Sequence, residues 1–314
     1  MFTTPILFLI FNRPITTKLV FEKIRQQKPS VLFVASDGPR EAKFGEAAVC
    51  EECRNIVLNG IDWPCEVKTL FREKNLGCGT AVSQAITWFF KNVEEGIVLE
   101  DDCLPDSSFF SYCALLLDRY RQDQRVFLIS GNNLIGTAWK SDLHSYFWGH
   151  IGVWGWASWR RAWNLYDYRM NGWEKAEMKS RIRDALKTEG WFGYYYSMYE
   201  SAYKGTLDTW DVQWCYTILK NGGLSANPSV NLVKNLGFGN QSTHTNNQCH
   251  PFANLSVGTL DFPLIHPPHF ITDVDYLGKM LLEAIPNKKK EGAYLRITAL
   301  IKKISNGFVI VGHE

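Results

Sequence analysis

The first 131 residues alternate between short apolar runs and longer amphipathic ones, and this alternation restricts the fold more than any other feature of the chain. The runs PILFLIF (5–11), SVLFVAS (30–36), CEVKTLF (65–71), GIVLE (96–100) and RVFLISG (125–131) have the length and the apolar, β-branched and aromatic content of strands. Between them, residues 16–27, 45–60, 79–93 and 107–123 place apolar residues at helical spacing. Strands that take turns with helices of this length form βαβ units and a mainly parallel sheet. The expected fold is therefore α/β and Rossmann-like, a mixed, mainly parallel sheet flanked by helices. Ligands of such sheets bind at the carboxyl ends of the strands.

Beyond about residue 140 the chain becomes rich in Trp, Tyr and Gly and less regular, although residues 173–190 and 209–223 still read as helices. It has no Ser/Gly/Pro-rich linker, internal repeat or low-complexity tract. The organisation expected is one domain over 1–250, made of a first half (1–135) and an aromatic-rich second half (136–250), then a C-terminal extension over 251–314. The net charge of +2 gives no reason to expect a nucleic-acid partner. The opening MFTTPILFLIF has no basic residue before its apolar run and stops at Asn12-Arg13-Pro14, unlike a secretory signal. No run approaches the ~18 apolar residues of a membrane span. A cytoplasmic location with reduced cysteines is expected. Cys50 and Cys53 form a lone CxxC inside a helical pattern, with no second pair at zinc spacing, and are expected to pack rather than bind metal.

The fourth strand ends on three adjacent acids, Glu100, Asp101 and Asp102. Repulsion and lost hydration both oppose such a strand end, so it needs a compensating charge or water. A solvated turn capping the next helix is one reading. The other is a seat for Mg²⁺ or Mn²⁺, hard cations that take carboxylate oxygens and in turn bind a diphosphate. The usual phosphate-binding glycine fingerprints, GxGxxG after the first strand and GxxxxGK[ST] anywhere, are missing from the sequence.

The stretch IVLEDDCLPDSSFFSYC resembles the acidic metal-binding motif of GT-A-fold glycosyltransferases, most of all the N-acetylglucosaminyltransferase I group and related bacterial nucleotide-sugar transferases. Four further stretches resemble that family in order: FNRPITTKLVFEKI, VASDGPR, GHIGVWGWASWRRAW and TWDVQW. The likeness implies a GT-A fold, with 1–135 as the nucleotide-sugar half and 136–250 as the acceptor half. It implies that Asp102 contacts a Mn²⁺ or Mg²⁺ ion, and that Glu100 and Asp101 contact the donor or orient the ligand. It implies that Phe11, Asn12 and Arg13 form the first nucleotide turn, with Arg13 near the diphosphate, and that Asp37 accepts a hydrogen bond from the base. Trp154, Gly155 and Trp156 would lie over donor and acceptor, and His244 would meet the metal or diphosphate. Asn231 and Asn235 would support the His244 loop. Arg72 is a second phosphate candidate, and Gly77 opens a helix whose first amides could face an anion. Ordinary turn roles for Asp37, Arg13, Gly77 and His244 are alternatives.

Asp211 stands beside Trp210 and one turn before Trp214. A carboxylate among tryptophans loses hydration and becomes a better base, as sugar transfer with inversion requires. The resembling family uses the Asp of its Trp-Asp pair in this way. A helix-start Asp favoured by the dipole is the plainer reading, and Asp208 is the rival base or a cap. Some of the aromatic side chains, Trp154 and Trp156 first, are expected to stack on a sugar, the remainder to be core. The function expected is transfer of a sugar from a nucleoside-diphosphate sugar, UDP-linked and with UDP-GlcNAc suggested by the resemblance, to a glycan or lipid-linked saccharide. The alternatives are a nucleotidyltransferase, disfavoured because no glycine-rich basic loop follows the first strand, and a non-catalytic carbohydrate-binding protein. The segment NKKKEGAYLRITALIKKISNGFVIVGHE suggests either a basic amphipathic helix at a membrane surface or a stripe that packs on the core or a second subunit.

Overall fold

A computed structural model describes residues 2–238 and 252–284. The elements in chain order are β1 (Ile6–Ile10), α1 (Pro14–Gln27), β2 (Val31–Ser36), α2 (Glu46–Gly60), β3 (Glu66–Phe71), α3 (Cys78–Asn92), β4 (Glu95–Glu100), β5 (Cys103–Pro105), α4 (Ser107–Tyr120) and β6 (Val126–Ser130). Then follow β7 (Tyr146–Trp148), β8 (Trp156–Trp159), α5 (Arg160–Trp163), α6 (Ala176–Ala185), α7 (Glu189–Tyr203), α8 (Asp211–Lys220), β9 (Leu224–Pro228), β10 (Val233–Asn235) and α9 (Val274–Ala284). Eight strands form one sheet in the order β3-β2-β1-β4-β8-β6-β9-β7. Parallel pairing joins β1 to β2 and β4, β2 to β3, and β6 to β9; β8 is antiparallel to both β4 and β6, and β7 to β9. The sheet is thus mixed and mainly parallel, as the alternating pattern predicts. The nine segments read as strands and helices in the first 131 residues all form.

Period-two alternation along the strands feeds two cores. Ile6, Phe8 and Ile10 of β1 join Val20, Phe21 and Ile24 of α1, Cys53 and Val57 of α2, and Phe109, Phe110 and Leu116 of α4. Leu7 and Leu9 face the other way, toward Ala85, Ile86 and Phe89 of α3 and Trp156, Trp163, Trp210 and Trp214. Each such side chain fully buried contributes roughly 1.5–3 kcal/mol. Cys50 and Cys53 are buried on α2, and burial pushes both thiols up to about 11, which keeps them protonated.

The second half departs from the sequence reading in two ways. Residues 189–203 form the helix α7, although EGWFGYYYSMYESAY shows no clear apolar spacing. Thr188 caps it by accepting from the Trp191 amide, 3.1 Å away. The core also does not end near residue 250. Leu260 and Leu264 belong to the first core, and Tyr276, Leu277, Met280 and Leu281 of α9 are buried with Trp173, Trp191 and Tyr199 in a third, largely aromatic one. The C-terminal basic segment and His244 lie outside the described residues. Among the described residues, no helix is long and apolar enough to cross a membrane.

Gly155 enters β8 with φ +65, and a Cβ there would lie 2.9 Å from Val233 Cγ2 and 3.2 Å from Leu99 Cδ2. Gly155→Ala should destabilise the protein by about 1–3 kcal/mol in urea unfolding, from strain and overpacking together.

Candidate functional site

The three acids sit where β4 leaves the sheet. Alternation sends Glu100 to the face of Val98, which is the face of α3 and α8. Asp101 is buried and ties two strand ends: its Oδ2 accepts from the Phe11 amide at 3.0 Å, and its Oδ1 from Arg13 Nη1 at 3.0 Å. The same Nη1 donates to Asp102 Oδ2 at 2.7 Å. Arg13 is mostly enclosed. Burial pulls its pKa down, and Asp101, Asp102 and Glu100 more than reverse that, holding it firmly charged. One guanidinium therefore faces three carboxylates. Glu100 accepts no hydrogen bond among the described residues. Burial first, then Asp102, Asp101 and Asp211, hold its carboxyl well above the usual range. Burial likewise raises Asp101, against the pull of Arg13.

A cavity of about 200 Å³ opens beside this cluster. Leu9, Ile10, Ala35, Ala81, Val82 and Ala85 give it an apolar lining. Phe11, Arg13, Asp37, Arg72, Gly77, Glu100 and Asp101, all singled out from the sequence, line it as well. Asp37 has both oxygens engaged by the amides of Gly38 and Leu76 and by Asn75 Nδ2, at 2.9–3.1 Å, so it pins the loop between β3 and α3. Arg72 contacts Gln84 Oε1 at 3.4 Å and makes no ion pair among the described residues; burial lowers its pKa, with Asp37 opposing.

Arg40 also lines the cavity and was missed in the sequence. Its guanidinium lies 5.6 Å from the centroid of the Phe11 ring and is gripped by Glu46, which also accepts from the Arg40 amide at 2.7 Å. The Arg40 bonds, above all, hold the Glu46 carboxyl down at about 2. Asn12 belongs to this support, because its Nδ2 donates to Glu46 Oε1 at 2.8 Å. It therefore braces the site instead of facing the cavity.

The start of α3 corrects another expectation. Its first amides are already taken: Cys78 N and Gly79 N donate to Asp208 Oδ2 and Oδ1 at 2.9 and 2.8 Å. A Cβ on Gly77 (φ +81) would sit 2.6 Å from Asp208, and one on Gly79 2.8 Å from it. The glycines make room for a cap supplied from 130 residues away. Asp211, three residues on, opens α8. Its Oδ1 accepts from the Thr209 hydroxyl and from Val212 N. It does not line the cavity, but its charge acts on Glu100 on one side and on Tyr195 and Tyr199 on the other.

Trp156 is buried in a tryptophan cluster, stacked on Trp210 at 5.8 Å, and cannot face a sugar. Gly155 is buried against Val233 and Leu99. Trp154 is only partly buried, with its ring against Phe238 and Phe252. Asn231 and Asn235 hold local backbone, through Val233 O and Gly237 N, on the strand that leads toward residue 239. Leu236 N donates to Asp102 O at 2.7 Å, so this strand is anchored on the acidic motif.

The donor set fits a hard divalent cation. It consists of carboxylate oxygens: Glu100 lines the cavity and accepts no hydrogen bond among the described residues, and Asp102, next to it but one in sequence, does not line the cavity and accepts from Arg13. Among the described residues, no three His, Cys, Asp or Glu side chains form a ready coordination sphere. Mg²⁺-type sites commonly use one or two carboxylates and complete the shell with water and substrate phosphates. Asp102 and Glu100 are the residues that would hold the ion.

Two substitutions test this framework. Glu46 has its folded pKa below its unfolded one, so its stabilisation is present above the ordinary carboxylate range and is lost as pH falls toward about 2. Glu46→Gln should cost about 1–2 kcal/mol at neutral pH, allowing for the exposed Arg40, and the deficit should close in acid melts. Asp208→Ala should cost about 1–2 kcal/mol by urea unfolding through loss of the cap, and Asp208→Asn less.

No protein-family model matches the chain, and no curated protein matches it. Solved structures similar to it include an inositol-1-phosphate CTP transferase from T. maritima, 9% identical over 73% of this chain and 86% of that one, with a TM-score of 0.38. Mouse xyloside xylosyltransferase 1 in its apo form is 10% identical over 71% and 84%, with a TM-score of 0.33. A UDP-glucose pyrophosphorylase complexed with UDP-glucose is 13% identical over 46% and 61%, with a TM-score of 0.26. Likenesses this distant leave the family unassigned, and the activity has to be argued from the site.

Proposed function

We propose that the protein is a divalent-metal-dependent glycosyltransferase, moving a sugar from a nucleoside-diphosphate sugar to a saccharide acceptor with inversion. The observation that supports this best is the acidic end of β4, where Glu100 accepts no hydrogen bond among the described residues, set against an apolar-lined cavity that also holds Arg72 and Arg40. An apolar floor suits a nucleobase and ribose, and the cavity arginines suit polar or anionic groups of the nucleotide. Mn²⁺ or Mg²⁺ bound there supplies charge stabilisation to a departing diphosphate.

Asp211 is the base in this reading. Thr209 and Val212 fix its Oδ1, and Oδ2 is left to take the acceptor proton. Asp208 suits the role less, since both of its oxygens are bound to the start of α3. Arg13 keeps Asp101 and Asp102 in place. Asn12 and Glu46 brace the turn after β1.

Incubation with UDP-, GDP- and dTDP-sugars and Mn²⁺ should release nucleoside diphosphate and leave one product anomer, inverted. Release of pyrophosphate from a nucleoside triphosphate and a sugar phosphate would identify a nucleotidyltransferase instead. Asp102→Asn should weaken metal-dependent nucleotide binding by more than about tenfold in calorimetry, or ~1.4 kcal/mol. Asp211→Asn should keep donor binding and lose turnover by roughly 10²-fold or more. A retained anomeric configuration would reject the mechanism.

A further inference from the structure

An aromatic platform is formed by α7 and the segment that follows β7. His150, Trp191, Tyr195 and Tyr199 lie within 27° of parallel wherever they pair: His150 with Trp191 (5.5 Å between centroids, 26°) and with Tyr195 (6.0 Å, 16°), Trp191 with Tyr195 (5.5 Å, 25°), and Tyr195 with Tyr199 (5.7 Å, 27°). Trp191 and Tyr199 are buried, and His150 and Tyr195, stacked against them, are partly buried. Tyr195 Oη and His150 Nε2 are 3.1 Å apart. Burial lowers His150 to about 4 and raises Tyr195, so both polar edges are neutral at physiological pH.

This platform adjoins the candidate active site. Asp211 is close enough to act electrostatically on both Glu100 and Tyr195. Tyr199 Oη lies 3.1 Å from Cys215 Sγ, and Cys215 is one turn along α8 from Asp211, so the platform packs beside the start of α8.

We propose that His150 and Tyr195 form the subsite that holds a pyranose of the acceptor saccharide. The inference rests on the glycosyltransferase reading above and extends it to the acceptor. Rings held by stacking beneath them are preorganised, and their faces and edges suit the C–H patches of a sugar. A neutral imidazole and a neutral phenol can donate to and accept from sugar hydroxyls. They offer no charge to an anion, which favours a neutral hydroxylated ring over a second phosphate. With the tyrosine hydroxyl donating to Nε2, Nδ1 carries the imidazole proton and is a donor toward the ligand.

Saturation-transfer NMR on the full-length protein tests this directly, with methyl β-D-glucopyranoside, methyl β-D-galactopyranoside and methyl α-D-mannopyranoside as probes. At least one probe should bind the wild type. His150→Ala and Tyr195→Phe should each weaken it by about tenfold or more, while Mn²⁺-dependent UDP binding stays within about twofold. Tyr195→Phe keeps the ring and its stacking, so it decides the matter if His150→Ala lowers the melting temperature. Absence of binding by all three probes overturns the proposal, as does equal binding by wild type and Tyr195→Phe, or a parallel loss of UDP binding in Tyr195→Phe. Probe binding lost in both variants alongside failure of every nucleotide-sugar to release nucleoside diphosphate would reject the transferase reading and keep a sugar site here. Working transfer with an unchanged acceptor KM in both variants would do the reverse.

Discussion

The paired hydrogen bonds from Arg13 to Asp101 and Asp102 are the constraint on which the site depends. An ion that loses its hydration must recover the loss from a partner of good geometry. Asp101 recovers it twice, from Arg13 and from the Phe11 amide, and thereby fastens the end of β1 to the end of β4. The position of the β1–α1 turn, one wall of the cavity, follows from this. So does the remaining imbalance, because a single guanidinium cannot satisfy Glu100 as well. That imbalance is part of what holds the Glu100 carboxyl above the usual range, and a cation bound beside it would relieve the repulsion.

A short stretch of the second half, TLDTWD, carries two acids that have separate tasks. Asp208 reaches back to close α3, and Gly77 and Gly79 are small because its carboxylate occupies the space that side chains would need. Asp211 starts α8 and stays free of that duty. One helical turn thus separates a structural carboxylate from the proposed reactive one. Because the cap comes from the second half, the first half cannot complete the N-terminus of α3 by itself.

Much of this was readable in the sequence wherever local pattern and tertiary demand agree. Strands β1, β2, β4 and β6 are largely buried runs and β3 a partly exposed edge run, all among amphipathic helices, and the alternation of the two identifies them. The acidic strand end was legible because charge there contradicts its surroundings. Helix α7 was not, because Tyr, Trp, Phe and Met together fill most of its middle turns and blur the apolar stripe. The Asp208 cap was not, because its partners lie 130 residues away. Arg40 was hidden because its significance comes from Glu46 and Phe11, which only the fold brings to it. Trp156 and Trp154 share a motif and differ in fate, since the strand begins at Trp156, after the positive-φ Gly155, and only Trp156 is carried into the sheet. His244 belongs to a stretch outside the described residues.

The position of β8 has a consequence for how the chain must be assembled. It is the antiparallel filler between β4 and β6, and without it those strands do not touch. As the chain emerges from the ribosome, β1 to β4 can form a sheet early, but its inner edge stays open until residues 156–159 arrive. Unpaired strand edges rich in apolar residues are prone to join other chains. A nascent or truncated chain ending before residue 156 therefore exposes two such edges, β4 and β6, that the finished protein conceals. The same four residues that complete the sheet also bring in Trp156 and Trp159, so closing the edges and filling the core on both sides of the sheet are a single event.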